Sequence, residues 1–222
     1  MYLNLRISLI LIIVSVFSFA QTDNTATERN FFYDASSQKS MAVTLSHQIL
    51  NTTGNNFLGQ AYNGDGGYNF SFKLFLYKNL FIRYSGGRSS FDITNTELVG
   101  NYTKSRLGER FFSLGYEFVP LNKVKIGINA SIYGTFALEN TIENGEQRDT
   151  GNLRSYGLSL QYEVIRNLSI YSAFDFRQLK TNIEAPESLT SFFRKGDYNT
   201  FNIGICYAVG DKDVLSAVGI LK

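Results

Sequence analysis

The residues able to do chemistry in this chain are few and widely separated. His47 is the only imidazole and Cys206 the only thiol. A nucleophilic mechanism needs a base and a nucleophile within hydrogen-bond reach. Around His47 the neighbours are Ser46 and Gln48, and two positions on stands Ile49, so no base–nucleophile spacing is present. One cysteine excludes an intramolecular disulfide, and one histidine excludes a multi-histidine metal site. Asn63-Gly-Asp-Gly-Gly67 lacks the succession of carboxylates and the distal glutamate of a calcium loop, and reads as a glycine-rich turn. Glu139, Glu143, Glu146 and Asp149 fall in one polar segment and read as a solvated loop rather than an acidic catalytic cluster. No catalytic residue, metal ligand or cofactor-binding residue is therefore expected.

What remains is a set of eight charges, Lys73, Arg83, Glu109, Glu117, Lys125, Glu163, Asp175 and Arg177, balanced in sign. All but Glu109, which stands just before one, belong to a stretch in which apolar and polar residues alternate with period 2, the signature of a strand with two unlike faces. Every one of the eight lies on the polar face. The longest such stretch is Val124 to Phe136, with Val124, Ile126, Ile128, Ala130, Ile132 and Phe136 on one side and Lys125, Asn129 and Tyr133 on the other. Similar alternation runs through Met41–Leu50, Phe70–Leu76, Leu80–Gly87, Phe112–Phe118, Tyr156–Val164, Leu168–Arg177 and Phe201–Val209, giving eight strands. Cys206 shares the polar face and reads as a packing residue.

Short links alternate with long ones. Tyr77-Lys78-Asn79 and Ile165-Arg166-Asn167 read as three-residue turns whose final asparagine is left-handed. Between the short turns lie long polar segments near 51–66, 88–108, 137–150 and 178–197. The strands after the short turns start at Leu80, Val124 and Leu168, 44 residues apart each time (124 minus 80, 168 minus 124), so a hairpin is repeated.

Residues 1–20, with Arg6, an apolar run from Ile7 to Phe17, and Ser18 and Ala20 near a cleavage site, read as a secretory signal. A formal net charge of +2 gives no electrostatic case for nucleic acid. The expected organisation is signal peptide 1–20, N-terminal periplasmic segment 21–39, barrel 40–209 and tail 210–222. No other stretch is long and apolar enough for a membrane helix, so a spanning structure would have to be a closed barrel. The competing architecture is a secreted barrel with its apolar face turned inward around a ligand. Charge placement favours the membrane barrel, because charge collects on one face of nearly every strand and leaves the other apolar.

In this hairpin pattern the sequence resembles the small outer-membrane β-barrels of Gram-negative bacteria, the group of outer-membrane protein X and the membrane domain of outer-membrane protein A. The last strand, Phe201-Asn-Ile-Gly-Ile-Cys-Tyr-Ala-Val209, is similar to the aromatic-bearing terminal signal read by the assembly machinery in that group. The departure is Gly210 to Lys222, which continues past the strand where relatives commonly end. The resemblance implies an eight-stranded antiparallel up-and-down transmembrane barrel with short periplasmic turns and long extracellular loops. It also implies an outer-membrane location, with membrane lipid, lipopolysaccharide, the assembly machinery and a protein at the loops as partners. An interior of this size is just filled by its own side chains. The inward charges Lys73, Arg83, Glu117, Glu163, Asp175 and Arg177 are therefore expected to form one paired network, with Arg83 beside Glu117 or Glu163, and not a pore. The functional expectation is a non-enzymatic structural or surface-interaction protein acting through its loops. The alternatives are an accessory of envelope assembly or secretion, a narrow channel, or a lipid-modifying enzyme.

Overall fold

The computed structural model describes residues 31–143, 145–183 and 186–220. Eight strands, β1 (Met41–Thr53), β2 (Tyr62–Tyr77), β3 (Leu80–Ile93), β4 (Lys104–Leu121), β5 (Val124–Ile142), β6 (Gly145–Ile165), β7 (Leu168–Thr181) and β8 (Lys195–Val209), pair antiparallel in chain order. β8 returns to β1 along a continuous ladder from Met41↔Val209 to Thr53↔Asp197, closing the barrel. Closure leaves no unpaired edge, which is the condition for exposing such a wall to lipid or to other chains without further strand pairing. Among the described residues four short α-helices accompany the strands: α1 (Phe57–Ala61), α2 (Thr96–Val99), α3 (Thr190–Phe193) and α4 (Val214–Ala217). No described helix is long and apolar enough to cross a membrane. The signal-peptide segment and most of the N-terminal periplasmic segment lie outside the described residues.

The hairpin repeat is visible in the strand starts, since β3, β5 and β7 begin at Leu80, Val124 and Leu168. Each short turn is tighter than the sequence suggests. Tyr77 pairs with Leu80, Leu121 with Val124 and Ile165 with Leu168, leaving two turn residues, and the ladder shifts register just before each pair. Asn167 adopts the expected left-handed backbone at φ 72, but in the first turn that conformation falls on Lys78, φ 50, rather than on Asn79. Tertiary contacts explain the displacement. The buried Asn79 side chain donates from Nδ2 to the Phe32 carbonyl at 2.9 Å, while the Lys78 amide donates to Asp213 Oδ2 at 2.9 Å.

The long polar segments contain far less loop than their composition implies. β5 and β6 run on to Ile142 and Gly145, so residues 137–150 form a hairpin that carries Glu139, Glu146 and Asp149 on strands. The segment from Asn63 to Gly67 belongs to β2, where the ladder shifts between Gly64 and Gly66. Polar side chains on both sides of a strand erase the period-2 signal while the backbone ladder continues unchanged.

Along the wall the two faces exchange character. On β6, Leu160, Leu158 and Tyr156 point outward and are followed on the same face by Arg154, Asn152 and Arg148; inward, Gln161, Ser159 and Ser155 give way to Leu153. On β4, outward Leu114 and Phe112 are followed by Arg110 and Arg106, while Phe111 and Leu107 point in. The half of the wall near the short turns is thus apolar outside and polar inside, and the half near the long connections tends to the reverse.

One strand changes face by means of a bulge. Ser113 pairs with Ser131 and Phe112 with Tyr133, which leaves Ile132 as the extra residue of β5. Ile132 and Tyr133 both point outward, at 64% and 63% exposure, and Phe136 turns inward at 4%. The expectation that Phe136 shares a face with Ile128 is corrected here. A one-residue insertion shifts every later side chain to the other face.

Candidate functional site

The lumen is filled in layers, and the polar ones hold most of the charges picked out from the sequence. Nearest the short turns, Lys73 Nζ forms a buried ion pair with Glu117 Oε1. Lys125 Nζ stands 4.0 Å from Glu117 Oε2, and Gln161 Nε2 donates to Oε1 at 2.9 Å. The Lys73 ammonium also rests 4.6 Å from the centroid of Phe81, where ring and carboxylate together replace its lost water.

A second cluster sits deeper. Arg177 Nη1 donates to Glu109 Oε2 at 2.8 Å and to Gln48 Oε1 at 3.2 Å, and its Nη2 donates to Asp175 Oδ2 at 3.0 Å. Asp175 Oδ2 also accepts from Asn202 Nδ2 at 3.0 Å and Thr200 Oγ1 at 3.3 Å, and Glu109 Oε1 accepts from the Tyr198 hydroxyl. Two carboxylates around one guanidinium, each with further donors, is the arrangement in which buried charge is tolerated.

Arg83 lies with neither cluster. Its Nη2 donates to Asn129 Oδ1 at 2.7 Å and its Nη1 to the Tyr171 hydroxyl at 3.5 Å, and among the described residues it has no carboxylate within 4.0 Å. The Phe111 ring lies between the two arginines, 6.0 Å from the Arg83 guanidinium and 5.2 Å from that of Arg177. Glu163 is half-buried at the short-turn end, where Oε1 accepts from the Asn167 amide at 3.1 Å and holds the β6–β7 turn. The expected single network is therefore two clusters, Lys73–Glu117–Lys125 and Glu109–Arg177–Asp175, with Arg83 bridged by an amide and Glu163 assigned to a turn. Strand parity gives the inward face, but partners across a barrel depend on its stagger.

Above the second cluster the lumen is apolar. Leu50, Phe91, Leu107, Phe136, Leu138, Leu153 and Leu179 converge there, and α1 folds into the mouth to add Phe57, Leu58 and Ala61. Asn56 caps α1, its Oδ1 accepting from the Leu58 and Gly59 amides at 3.1 and 3.0 Å. The sequence signal for this plug was available: an asparagine cap followed by Phe57, Leu58 and Ala61 at helical spacing. It lies within 51–66, a segment that reads as loop because Asn, Thr and Gly surround it.

The opposite end is covered by both termini of the described chain. The Val119 amide donates to the Phe31 carbonyl at 2.9 Å, and Gln38 Nε2 donates to the Lys78 carbonyl at 2.9 Å. After Gly210, at φ 83, the tail turns into α4, and Asp213 Oδ2 and Oδ1 accept from the Lys78 and Ser216 amides. Burial acts to raise the Asp213 carboxyl, but these amides prefer its ionised form and hold it below its ordinary value of 3.8.

His47 points outward from β1, opposite Tyr68 on β2. Cys206 is buried in a small cluster with Phe75, Phe81, Tyr171 and Ala173. No group of three or more metal-ligating side chains occurs among the described residues.

No protein-family model matches the chain, and no curated protein does. Solved structures do. Neisserial surface protein A superposes with a TM-score of 0.57 at 13% identity, over 76% of this chain and 96% of that one. The outer-membrane protein OprG of Pseudomonas aeruginosa gives a TM-score of 0.53 at 11% identity, over 79% of this chain and 99% of that one. At these identities the likeness concerns the backbone, and it is the likeness that the strand order and closure lead one to expect: the chain has the fold of the small eight-stranded outer-membrane barrels.

Proposed function

We propose that this chain is an outer-membrane barrel without an open pore, whose role is structural or surface-directed and is exerted at the end bearing the long connections. The outward belt supports membrane insertion. Leu45, Ile128, Leu158, Ile170 and Ile203 lie on the outer wall, each about half exposed. A continuous apolar surface of this kind is stable against lipid and aggregation-prone in water. A lipid crossing needs about 9–11 residues per strand, whereas β5 has 19 and β6 has 21. The excess stands above the lipid as a polar-walled extension.

The observation that carries the closed reading is the stacking of an apolar plug on two buried charge clusters within one eight-stranded lumen. Water-filled channels belong to wider barrels. Membrane lipid, including lipopolysaccharide, surrounds the belt, and the assembly machinery is a partner in biogenesis. A protein partner would meet the extension, α2 and α3. His47 has no catalytic part in this reading.

The test is reconstitution of the full chain in planar bilayers. The expected result is heat-modifiable gel migration without steady monomer conductance, unchanged in His47→Ala. Stable conductance would support the channel alternative instead.

A further inference from the structure

The outer wall of the extension carries a groove that the lumen does not account for. It occupies about 580 Å³ and is bounded by the outward side chains of Arg88 on β3, Arg110 on β4, Glu139 on β5 and Arg148 on β6. Its floor is low because Gly108 and Ala137 stand where larger residues would fill it. A Cβ on Gly108 would meet nothing nearer than the Ala137 carbonyl at 3.9 Å.

Charge in the groove is incompletely matched. Arg88 Nη2 pairs with Glu139 Oε2 at 2.8 Å, at the half-exposed rim. The guanidinium groups of Arg110 and Arg148 make no hydrogen bond or ion pair with any described residue, although both backbones take part in the strand ladders. Glu109 also borders the groove, but its carboxylate is committed to Arg177 in the lumen, so the outward charges are three guanidiniums against Glu139, an excess of two positive charges. Planar guanidiniums match phosphate oxygens in bidentate fashion.

Position selects the kind of phosphate. Arg110 is two residues beyond Phe112 on the same face of β4, about 7 Å along the strand, and Phe112 pairs with the outward Tyr133. Tyr68 forms part of the groove's own lining. The site thus opens directly above the aromatic edge of the apolar belt, at the level of lipid headgroups. Its volume is some twenty times the roughly 30 Å³ share of one water, too large for bare phosphate, and Thr135, Thr150 and Asn152 supply neutral hydrogen-bonding groups.

We infer that this groove binds the phosphorylated sugar headgroup of a glycolipid in the leaflet on the long-connection side, with Arg110 and Arg148 on phosphate and the threonines and asparagine on sugar hydroxyls. The inference rests on the membrane reading above and gives it a specific lipid contact. Glu139 is the built-in opponent: it neutralises Arg88 and disfavours a second phosphate beside itself.

The experiment uses the full chain in phosphatidylcholine vesicles. The probes are lipid A, dephosphorylated lipid A, phosphatidylglycerol and free inorganic phosphate. Retention of each lipid is measured by native mass spectrometry, and insertion is scored separately by heat-modifiable migration. The inference requires lipid A to bind at least tenfold more tightly than its dephosphorylated form and than phosphatidylglycerol. Arg110→Ala with Arg148→Ala should weaken it by tenfold or more, Gly108→Leu should block it by filling the groove, and Glu139→Gln should strengthen it, all with normal insertion. Equal retention of lipid A and phosphatidylglycerol, equal retention after dephosphorylation, binding of inorganic phosphate alone, or indifference to the arginine pair would each overturn it. Failure of the unaltered chain to insert would instead overturn the membrane reading on which it rests.

Discussion

Arg177 reaches across the lumen to Glu109, Nη1 to Oε2 at 2.8 Å, with the two side chains 1% and 0% exposed. They are 68 positions apart in the chain and lie on strands separated by two others, so only barrel closure brings them together. The contact holds the boundary between the polar layers below and the apolar plug above.

Removing the cation from that contact strands two buried carboxylates. Arg177→Met is expected to cost about 3–5 kcal/mol, read from the urea midpoint of unfolding from vesicles. Adding Glu109→Leu should restore part of the loss, because the unpaired charge, and not the missing bond, carries most of it. A double variant less stable than the single one would count against this account.

Ile128 is outward on the short-turn half of β5, within the apolar belt, and 47% exposed. Ile128→Arg should destabilise the inserted barrel by about 2–4 kcal/mol. Arg154, an arginine already present further up the same outer wall, supplies the contrast: its charge-preserving replacement Arg154→Lys should be nearly silent. Equal effects at the two depths would mean that the belt does not mark the lipid.

Phe81 packs over Gly115, its cross-strand partner, so closely that a Cβ there would lie 2.3 Å from the ring and 2.4 Å from the Ile128 carbonyl. Gly115→Ala must displace the ring that also faces the Lys73 ammonium, and is expected to cost about 1–3 kcal/mol. Gly108→Ala, which enters open space, should stay within about 0.5 kcal/mol. Thermal gel-shift midpoints of the two variants, compared side by side, decide the matter.

Asp213 couples the tail to the first short turn. Its carboxyl is held below 3.8 because the Ser216 and Lys78 amides outweigh the effect of burial. A lowered value in the folded state means that the ionised group stabilises docking at every pH above the ordinary carboxylate range, and that this contribution is lost as pH falls through the lowered value. In micelles the amide resonances of Lys78 and Ser216 should titrate together with a midpoint below 3.8. A midpoint at or above 3.8, or separate midpoints, would show the tail undocked.

β2, β4, β6 and β8 begin well before the alternation shows, but the starts of β1, β3, β5 and β7, the inward face of Cys206 and of the charges, and the outward belt were legible in the sequence. They follow from the chain's own period of 2 and from turn residues next to it. Phe136 marks the first limit, since the bulge at Ile132 reverses its face and alternation carries no notice of an inserted residue until the partner strand is known. Asn79 marks the second: its left-handed role passed to Lys78 because Phe32 and Asp213, far away in sequence, claim the two residues. The pairing of charges was the least accessible. Period 2 states which residues enter the lumen, whereas the stagger of eight closed strands decides that Lys73 meets Glu117, that Arg177 meets Glu109, and that Arg83 meets an amide instead of a carboxylate. A face is a local property of one strand, but a partner across the lumen is a property of the closed ring.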